Sequence, residues 1–246
     1  MKEETGTING PNGRLAFRRI AGAGPAVIWL GGFKSDMTGT KAEALADWAR
    51  ASGRAYLRFD YSGHGASEGR FEEGTISAWL ADTLAAIEQL SKGPVILVGS
   101  SMGGWIAALA ALRLRARLAG IVFIAPAPDF TEELIWAQMT GPERELVLSH
   151  GRLVEHSPYS DEPTIITRAL IEDGREHLLL GGPIKINCPV RILQGMADPD
   201  VPWRHALKLA ECLTADDLEV TLIKSGDHRL SKPHEIVKLT DAISSI

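Results

Sequence analysis

Cysteine and basic charge are both scarce in this sequence. Its 246 residues include only two cysteines, Cys188 and Cys212, and neither belongs to a CxxC motif or a Cys/His cluster. This argues against a disulfide framework and against a metal site. The 26 Lys and Arg residues are outnumbered by 31 Asp and Glu residues, giving a formal net charge of -5. Without a basic surplus or a dense basic run, no nucleic-acid partner is expected.

Long apolar runs are also missing, so no segment is predicted to span a bilayer. The first ten residues, MKEETGTING, are acidic and polar, unlike a secretory signal or an Arg-rich transit peptide. Together with the scarcity of cysteine, this favours a cytoplasmic location. The length and the 45% hydrophobic content predict a single α/β domain over residues 1–246.

Short, almost continuously apolar runs predict the strands of a parallel sheet that is covered on both faces. Such runs occupy residues 26–30, 95–99, 120–125 and 190–195, with further candidates at 55–60 and 219–224. Helical patterns lie between them, including residues 75–90, where apolar residues recur at steps of three and four. We therefore predict a mostly parallel, doubly wound sheet, with functional residues beyond the carboxyl ends of its strands.

Residues 129–187 interrupt this alternation, since they contain no convincing core strand. An amphipathic pattern begins the segment and comprises Phe130, Leu134, Ile135, Trp136 and Met139. We predict that the segment is a small cap inserted over the functional site. Extra packing helices without a role in binding are the alternative.

The stretch ILVGSSMGGW, residues 96–105, places two serines at a sharp corner between an apolar strand and a helix. Gly99, Ser101 and Gly103 fit the pattern G-x-S-x-G in the strand-to-helix context that it requires. Small residues on either side allow a strained turn that lifts the serine hydroxyl above the sheet. Ser101 is therefore the candidate nucleophile. Ser100 lacks this flanking geometry, and we assign it to hydrogen bonding at the strand end.

A serine nucleophile needs an imidazole that takes its proton and a carboxylate that orients the imidazole. In this class of site the residues follow the chain order Ser, Asp, His. Asp198 lies just beyond the strand at 190–195, and His228 lies in the loop after the strand at 219–224. These residues complete a candidate Ser-Asp-His triad.

Other acids and histidines compete for these two roles. Asp227 and Asp200 are rivals of Asp198, and we interpret Asp200 as the cap of a helix that begins near Pro202. Surface or packing roles are expected for the remaining histidines. His205 and His234 fall at helix starts. Three more lie in or near the predicted cap, namely His150, His156 and His177.

An acyl-transfer site also needs donors for the oxygen that becomes negative during the reaction. One predicted donor is the backbone N–H of Met102, directly after the nucleophile, and the other is that of Phe33, which follows two glycines. A plain Gly-Gly turn is the alternative for the second donor.

The loop FDYSGHGASEG, residues 59–69, is the other dense motif. Its Asp60 and His64 could form a second catalytic pair. We instead expect the loop to shape the rim of the pocket, because the triad is complete without it.

Five stretches together are similar to the α/β-hydrolase-fold serine hydrolases, and within them to a mitochondrial group of acyl-glucuronide esterases and palmitoyl-protein thioesterases. They are FKSDMTGTKA (33–42), RFDYSGHGASEG (58–69), ILVGSSMGGW (96–105), INCPVRILQGMADPDVPW (186–203) and SGDHRLS (225–231). The resemblance implies the same triad, on Ser101, Asp198 and His228. The transit extension expected of a mitochondrial member is absent, which suggests a bacterial-type cytoplasmic relative. Residues 130–157 match the group weakly.

We therefore expect a cofactor-independent serine hydrolase that cleaves carboxylic esters or thioesters through an acyl-enzyme. The resemblance implies long-chain S-acyl substrates, S-acylated proteins included, or acyl glucuronides. One alternative is a non-catalytic binding module, because fold alone does not establish chemistry. Another is a serine hydrolase of a different acyl class, such as a peptidase or perhydrolase. Epoxide hydrolases and haloalkane dehalogenases are disfavoured, since they use Asp where this chain has Ser101.

Overall fold

A computed structural model describes residues 2–155 and 163–246, and an eight-stranded sheet forms the centre of this part of the chain. The strands are β1 (Glu3–Gly10), β2 (Gly13–Ile20), β3 (Ala23–Leu30), β4 (Arg54–Phe59), β5 (Val95–Ser100), β6 (Leu118–Ile124), β7 (Arg152–Glu155), β8 (Thr164–Thr167), β9 (Val190–Gly195) and β10 (Leu218–Ile223). All except β7 and β8, which pair only with each other in the described residues, belong to the large sheet.

The helices lie between the strands along the chain. They are α1 (Thr40–Ser52), α2 (Ile76–Leu90), α3 (Met102–Leu114), α4 (Gly141–His150), α5 (Arg168–Arg175), α6 (Trp203–Cys212) and α7 (Pro233–Ser244). In the two described ranges, no helix combines the length and apolar character needed to cross a membrane.

The strand order of the large sheet is β1-β2-β4-β3-β5-β6-β9-β10. β2 pairs antiparallel with both β1 and β4, and the other pairings in this sheet are parallel. The six predicted strands are present and the mostly parallel sheet is confirmed. The hairpin of β1 and β2 was not predicted, because the edge strand β1 is polar and largely exposed and is held through its backbone pairing.

Helices cover both faces of the sheet, as a doubly wound arrangement requires. One apolar core joins a sheet face to α2, α3 and α6, and a second core joins the other face to α1 and α7. β5 is buried along its whole length. This burial explains its continuous apolar sequence, since both faces of the strand pack against helices. β5 also lies near the middle of the strand order, so its carboxyl end lies near the middle of the row of strand ends.

The 129–187 segment lies between β6 and β9 and contains α4, α5 and the antiparallel pair of β7 and β8. Its beginning is tied to its end, because the buried carboxylate of Asp129 accepts hydrogen bonds from the N–H groups of Leu179 and Leu180, at 2.8 Å for the shortest bond to each. The predicted amphipathic stretch is helical over Thr131–Gln138. His156 lies outside the described residues.

Candidate active site

Ser101 occupies the corner between β5 and α3 in a strained backbone conformation, with φ 55° and ψ -121°. Residues with side chains rarely adopt a positive φ, and such strain persists only where the surroundings enforce it. Here the N–H of Ser101 donates to the carbonyl of Ile124 at 2.9 Å. Its own carbonyl accepts from Gly104 at 2.8 Å and from Ala127 at 3.1 Å. The corner is therefore fixed by neighbouring backbone on both sides.

The glycines around Ser101 are required by close backbone approach. An added Cβ at Gly99 would lie 2.3 Å from the carbonyl oxygen of Gly103, and one at Gly103 would lie 2.1 Å from that of Leu30. At Gly104 an added Cβ would lie 2.9 Å from the Cβ of Pro126. The predicted reason for these small residues is confirmed, since α3 starts in direct contact with the ends of the strands.

Ser101, His228 and Asp198 form a continuous hydrogen-bond chain. Nδ1 of His228 lies 2.8 Å from Oδ2 of Asp198, and Nε2 lies 3.0 Å from Oγ of Ser101. An ionised carboxylate can only accept, so Nδ1 carries the proton and Nε2 accepts from the serine hydroxyl. The structure thus brings together three residues that are far apart in sequence, in the arrangement that the sequence predicts.

The carboxylate of Asp198 is fully buried and has four hydrogen-bond donors. Besides His228, they are the amide of Gln194 at 3.1 Å and the N–H groups of Asp200 and Val201, each at 2.9 Å. Burial alone would raise the pKa of this carboxyl. His228 and the backbone donors outweigh burial and lower the pKa below its usual value. Asp198 is therefore held as the anion.

The two rival acids have other contacts. Oδ1 of Asp227 accepts the N–H groups of Arg229 and Leu230, each at 3.1 Å, and so shapes the loop that carries the histidine. The prediction that Asp200 caps α6 is wrong, because the N-cap residue is Pro202 and no side chain caps that end. Asp200 instead lies in the turn that wraps around the carboxylate of Asp198, and its own N–H donates to that carboxylate.

The predicted oxyanion donors lie at the same site. Phe33 and Met102 line a cavity that also contains Ser101 and His228. An added Cβ at Gly32 would be 3.3 Å from the Cβ of Ser101, so the loop after β3 passes directly beside the serine. Within the described residues, no protein acceptor takes a hydrogen bond from the N–H of Phe33 or Met102. The role of these two groups as oxyanion donors stays a prediction.

This cavity has a volume of about 700 Å³, within the usual range for small-molecule sites. The apolar residues of its lining include Phe33, Met102, Ala127, Phe130, Leu134, Ile135, Ile166 and Val201. The charged residues are Lys34, Lys41, Glu155, Asp200 and Arg229. A larger groove of about 1100 Å³ runs beside the end of α3 and contains none of the predicted site residues.

The 59–69 loop does not line the cavity, so the prediction that it shapes the rim is wrong. Asp60 is buried and accepts the N–H groups of Met37 at 2.7 Å and Ala66 at 2.9 Å, which folds the loop back on itself. His64 packs edge-on against Trp79, and burial lowers its pKa to about 4. In the described part of the chain Asp60 and His64 share no hydrogen bond. They form no second catalytic pair.

Three other histidines make local contacts. His177 and His205 hydrogen-bond to Oγ of Ser77 and to the carbonyl of Pro128, each at 2.7 Å. His150 contacts the hydroxyl of the adjacent Ser149.

Within the described residues, Asp198, Asp200 and His228 also offer ligand atoms within 4.8 Å of one another. A cation bound there would compete with the hydrogen bond between Asp198 and His228.

Sequence reasoning missed Gln194 and Lys41. Gln194 is fully buried, and its amide donates to Asp198. A polar residue at the end of a strand that is predicted to be buried was the available signal. Lys41 lies in helix α1, far from the triad in sequence, and carried no signal of its own. Ser100 ends β5 and lines the cavity, and its assignment to strand-end hydrogen bonding stays a prediction.

The fold and the site together define an α/β hydrolase. A family model described as serine aminopeptidase, S33, matches residues 25–169, which is more than half of the chain. The chain belongs to this family of α/β-fold serine hydrolases, and the predicted fold class is confirmed.

Individual relatives match over nearly the whole chain. Palmitoyl-protein thioesterase ABHD10, mitochondrial, from Bos taurus is 37% identical over 94% of this chain and 76% of that protein. A solved structure from Agrobacterium vitis S4 is 49% identical, with a TM-score of 0.96 over 100% of this chain and 99% of that one. Alpha/beta hydrolase domain-containing protein 10 from mouse is 33% identical, with a TM-score of 0.91 over 98% and 97% of the two chains. The predicted resemblance is confirmed.

Substitution of Gly103 by Ala should destabilise the protein by roughly 1–3 kcal/mol or more, because the new Cβ collides with the backbone of β3. Chemical denaturation measures this change. The matched control is Gly141→Ala, since an added Cβ at that first residue of α4 meets no atom within 4 Å. The control should change stability by less than about 1 kcal/mol. Equal stability of both variants would contradict the close approach at the corner.

Proposed function

We propose that the protein hydrolyses carboxylic esters or thioesters with Ser101 as nucleophile, His228 as general base and acid, and Asp198 as the orienting carboxylate. The observation that carries this proposal is the hydrogen-bond chain through the three side chains, which ends at the cavity. A chain that only bound ligands would have no need of a serine held in strained backbone and aligned with an imidazole.

In the first half of the reaction, Oγ of Ser101 attacks the acyl carbon while Nε2 of His228 takes the hydroxyl proton. Asp198 stabilises the resulting imidazolium through Nδ1 and remains ionised, consistent with the low pKa of its carboxyl. The acyl oxygen becomes negative in the tetrahedral intermediate. The N–H groups of Phe33 and Met102 stabilise that charge, and each donor contributes roughly 3–4 kcal/mol to such a step.

Collapse of the intermediate breaks the bond between the acyl carbon and the leaving sulfur or oxygen, which receives the proton from Nε2 of His228. The acyl group is now an ester of Ser101. In the second half, His228 takes a proton from water as that water attacks the ester carbon. The proton then returns to Oγ of Ser101, releasing a carboxylic acid and restoring the enzyme.

We infer that the 129–187 segment acts as a cap that contributes the acyl-binding wall. Phe130, Leu134, Ile135 and Ile166 from this segment line the cavity beside the serine. Apolar side chains around the acyl group favour a hydrocarbon chain by removing its surface from water. The name of the bovine relative, a palmitoyl-protein thioesterase, supports long-chain S-acyl groups, on small thiols or on S-acylated proteins.

A second candidate function is aminopeptidase activity, which the description of the matching family names. Glu155 and Asp200 line the cavity, and acidic side chains there could receive a substrate ammonium group. We favour acyl esters and thioesters because the 129–187 segment contributes the apolar side chains of Phe130, Leu134, Ile135 and Ile166 to the cavity. The cytoplasmic location stays a prediction, and the relatives named above as ABHD10 are mitochondrial by name.

Substitution of Ser101 by Ala should abolish turnover and leave the fold intact, because it removes the attacking oxygen alone. The assay compares thioesters and oxygen esters of matched chain length, with an aminoacyl anilide as a third substrate class. Ser100→Ala is the matched control, and it should retain turnover because residue 101 keeps its hydroxyl. Full activity of Ser101→Ala would overturn the proposal, and cleavage of the anilide alone would favour the aminopeptidase.

Substitution of Asp198 by Asn should lower kcat by up to about 10⁴-fold, the loss known for this change in serine proteases, because an amide no longer enforces the required tautomer of His228. Asp200→Asn should cost less than about tenfold, since the side chain of Asp200 is outside the hydrogen-bond chain. Steady-state kinetics at one pH distinguish the two acids. A larger loss for Asp200→Asn would reverse their assignment.

Substitution of Leu134 by Trp should lower kcat/KM for a long acyl chain more than for an acetyl group, because it fills part of the cavity. Leu134 is half-buried and lines the cavity, so the larger ring extends into space that the acyl chain would occupy. The control is Leu148→Trp in the same segment. Leu148 is 44% exposed and does not line the cavity. Unchanged chain-length preference in Leu134→Trp would contradict the acyl-binding role of the cap.

A further inference from the structure

A lysine from α1 reaches across to the loop that carries His228. Lys41 is the second residue of α1, and its Nζ donates a hydrogen bond to the carbonyl oxygen of Arg229, the residue after the histidine. Lys41 also lines the cavity with Ser101 and His228. The mechanism proposed above gives this half-buried cation no role.

The far end of the loop around His228 is held by the buried side chain of Leu230 and is contacted by Lys41. Its beginning is held by the N–H of Ala197, which donates to the carbonyl of Gly226 at 3.0 Å. Past the histidine, Asp227 and Ser231 make hydrogen bonds within the loop itself. Leu230 has a positive φ of 45°, a conformation that its surroundings must enforce. Lys41 supplies a contact there from a different element of the fold.

The surroundings of Lys41 include charges from the loop and from α7. Burial lowers the pKa of Lys41 to about 8; Asp227 and Glu235 raise it in part, and Arg229 lowers it further. A hydrogen bond from an ammonium group is roughly twice as strong as one from a neutral donor. The support that Lys41 gives to the loop is therefore strongest while its side chain is protonated.

We propose that Lys41 is a positioning residue: its hydrogen bond to the backbone of Arg229 holds His228 at the distance from Ser101 that proton transfer requires. This inference rests on the proposed function of Ser101 and His228. Misplacement of a reacting group by about 1 Å can cost roughly 10²-fold in rate. The role acts on the chemical step and not on the affinity for the acyl chain.

Substitution of Lys41 by Met keeps the apolar stem and removes the donor. We expect kcat to fall by about 10- to 100-fold for a short-chain ester, with KM changed by less than about threefold, because binding of a small acyl group does not use this contact. Lys41→Arg retains a cationic donor and should recover a measurable part of the lost kcat. Lys238→Met, on the exposed face of α7, is one control, and its kcat should be unchanged. Ser231→Ala is a second control, and its kcat should fall less than that of Lys41→Met because the hydrogen bond of Ser231 lies within the loop.

The pH dependence separates positioning from plain stabilisation. In the wild type, kcat should decline as pH rises through about 8, as Lys41 loses its proton; in Lys41→Arg this decline should be absent, because Arg stays charged. Stability should change with pH in the opposite direction to kcat. The pKa of Lys41 is lower in the folded chain than in the unfolded chain, so between about pH 8 and the unfolded pKa the unfolded chain binds more protons. The contribution of Lys41 to the free energy of unfolding should therefore rise with pH in this range.

Three results would overturn the role of Lys41: unchanged kcat in Lys41→Met, a rise in KM without a fall in kcat, or the same alkaline decline in Lys41→Arg as in the wild type. The Ser101→Ala variant is assayed beside them. If Ser101→Ala is inactive and Lys41→Met is fully active, only the positioning role fails. If Ser101→Ala is active, the proposed function fails. Thermal unfolding establishes whether each variant is folded. If Lys41→Met is not folded, the pH profile of kcat in Lys41→Arg decides whether Lys41 positions His228.

Discussion

The site depends on the contact between the first turn of α3 and the carboxyl end of β3. There is no room for a side chain at residue 103, where an added Cβ would lie 2.1 Å from the carbonyl oxygen of Leu30. Ser101 lies two residues before this contact and has a positive φ of 55°, a conformation that its surroundings must enforce. The loops after β3, β9 and β10 meet at the same edge, because parallel strands end there. They bring Phe33, Asp198 and His228 to the serine, as the proposed oxyanion donor, acid and base.

The charges at the site are held by specific partners. Asp198 is fully buried, and four donors compensate for its lost hydration. Asp129 uses the same principle at a different place, since it binds the two N–H groups that close the base of the 129–187 segment. One buried carboxylate thus serves the candidate chemistry, while the other fixes the segment that lines the cavity. The proposed acyl-binding wall and the proposed triad thus come from different parts of the chain.

The sequence alone predicted the features that depend on local pattern. Apolar runs located the six parallel strands, and the spacing of Gly99, Ser101 and Gly103 located the corner. Asp198 and His228 followed from their positions after strand ends. The proposed role of Lys41 depends on a contact between distant segments, so no local pattern indicates it. Gln194 did carry a local signal, as a polar residue at the end of β9. Asp60 and His64 form a conspicuous motif, yet tertiary packing buries them behind the cavity.

The most direct test of the account is to locate a covalent adduct on the wild-type protein. A fluorophosphonate reacts with a serine that a neighbouring imidazole activates, and intact-mass spectrometry followed by peptide mapping identifies the labelled residue. The account predicts one phosphonyl group per chain, attached to Ser101. Absence of an adduct on the folded protein, or an adduct on Ser100 in place of Ser101, would contradict it.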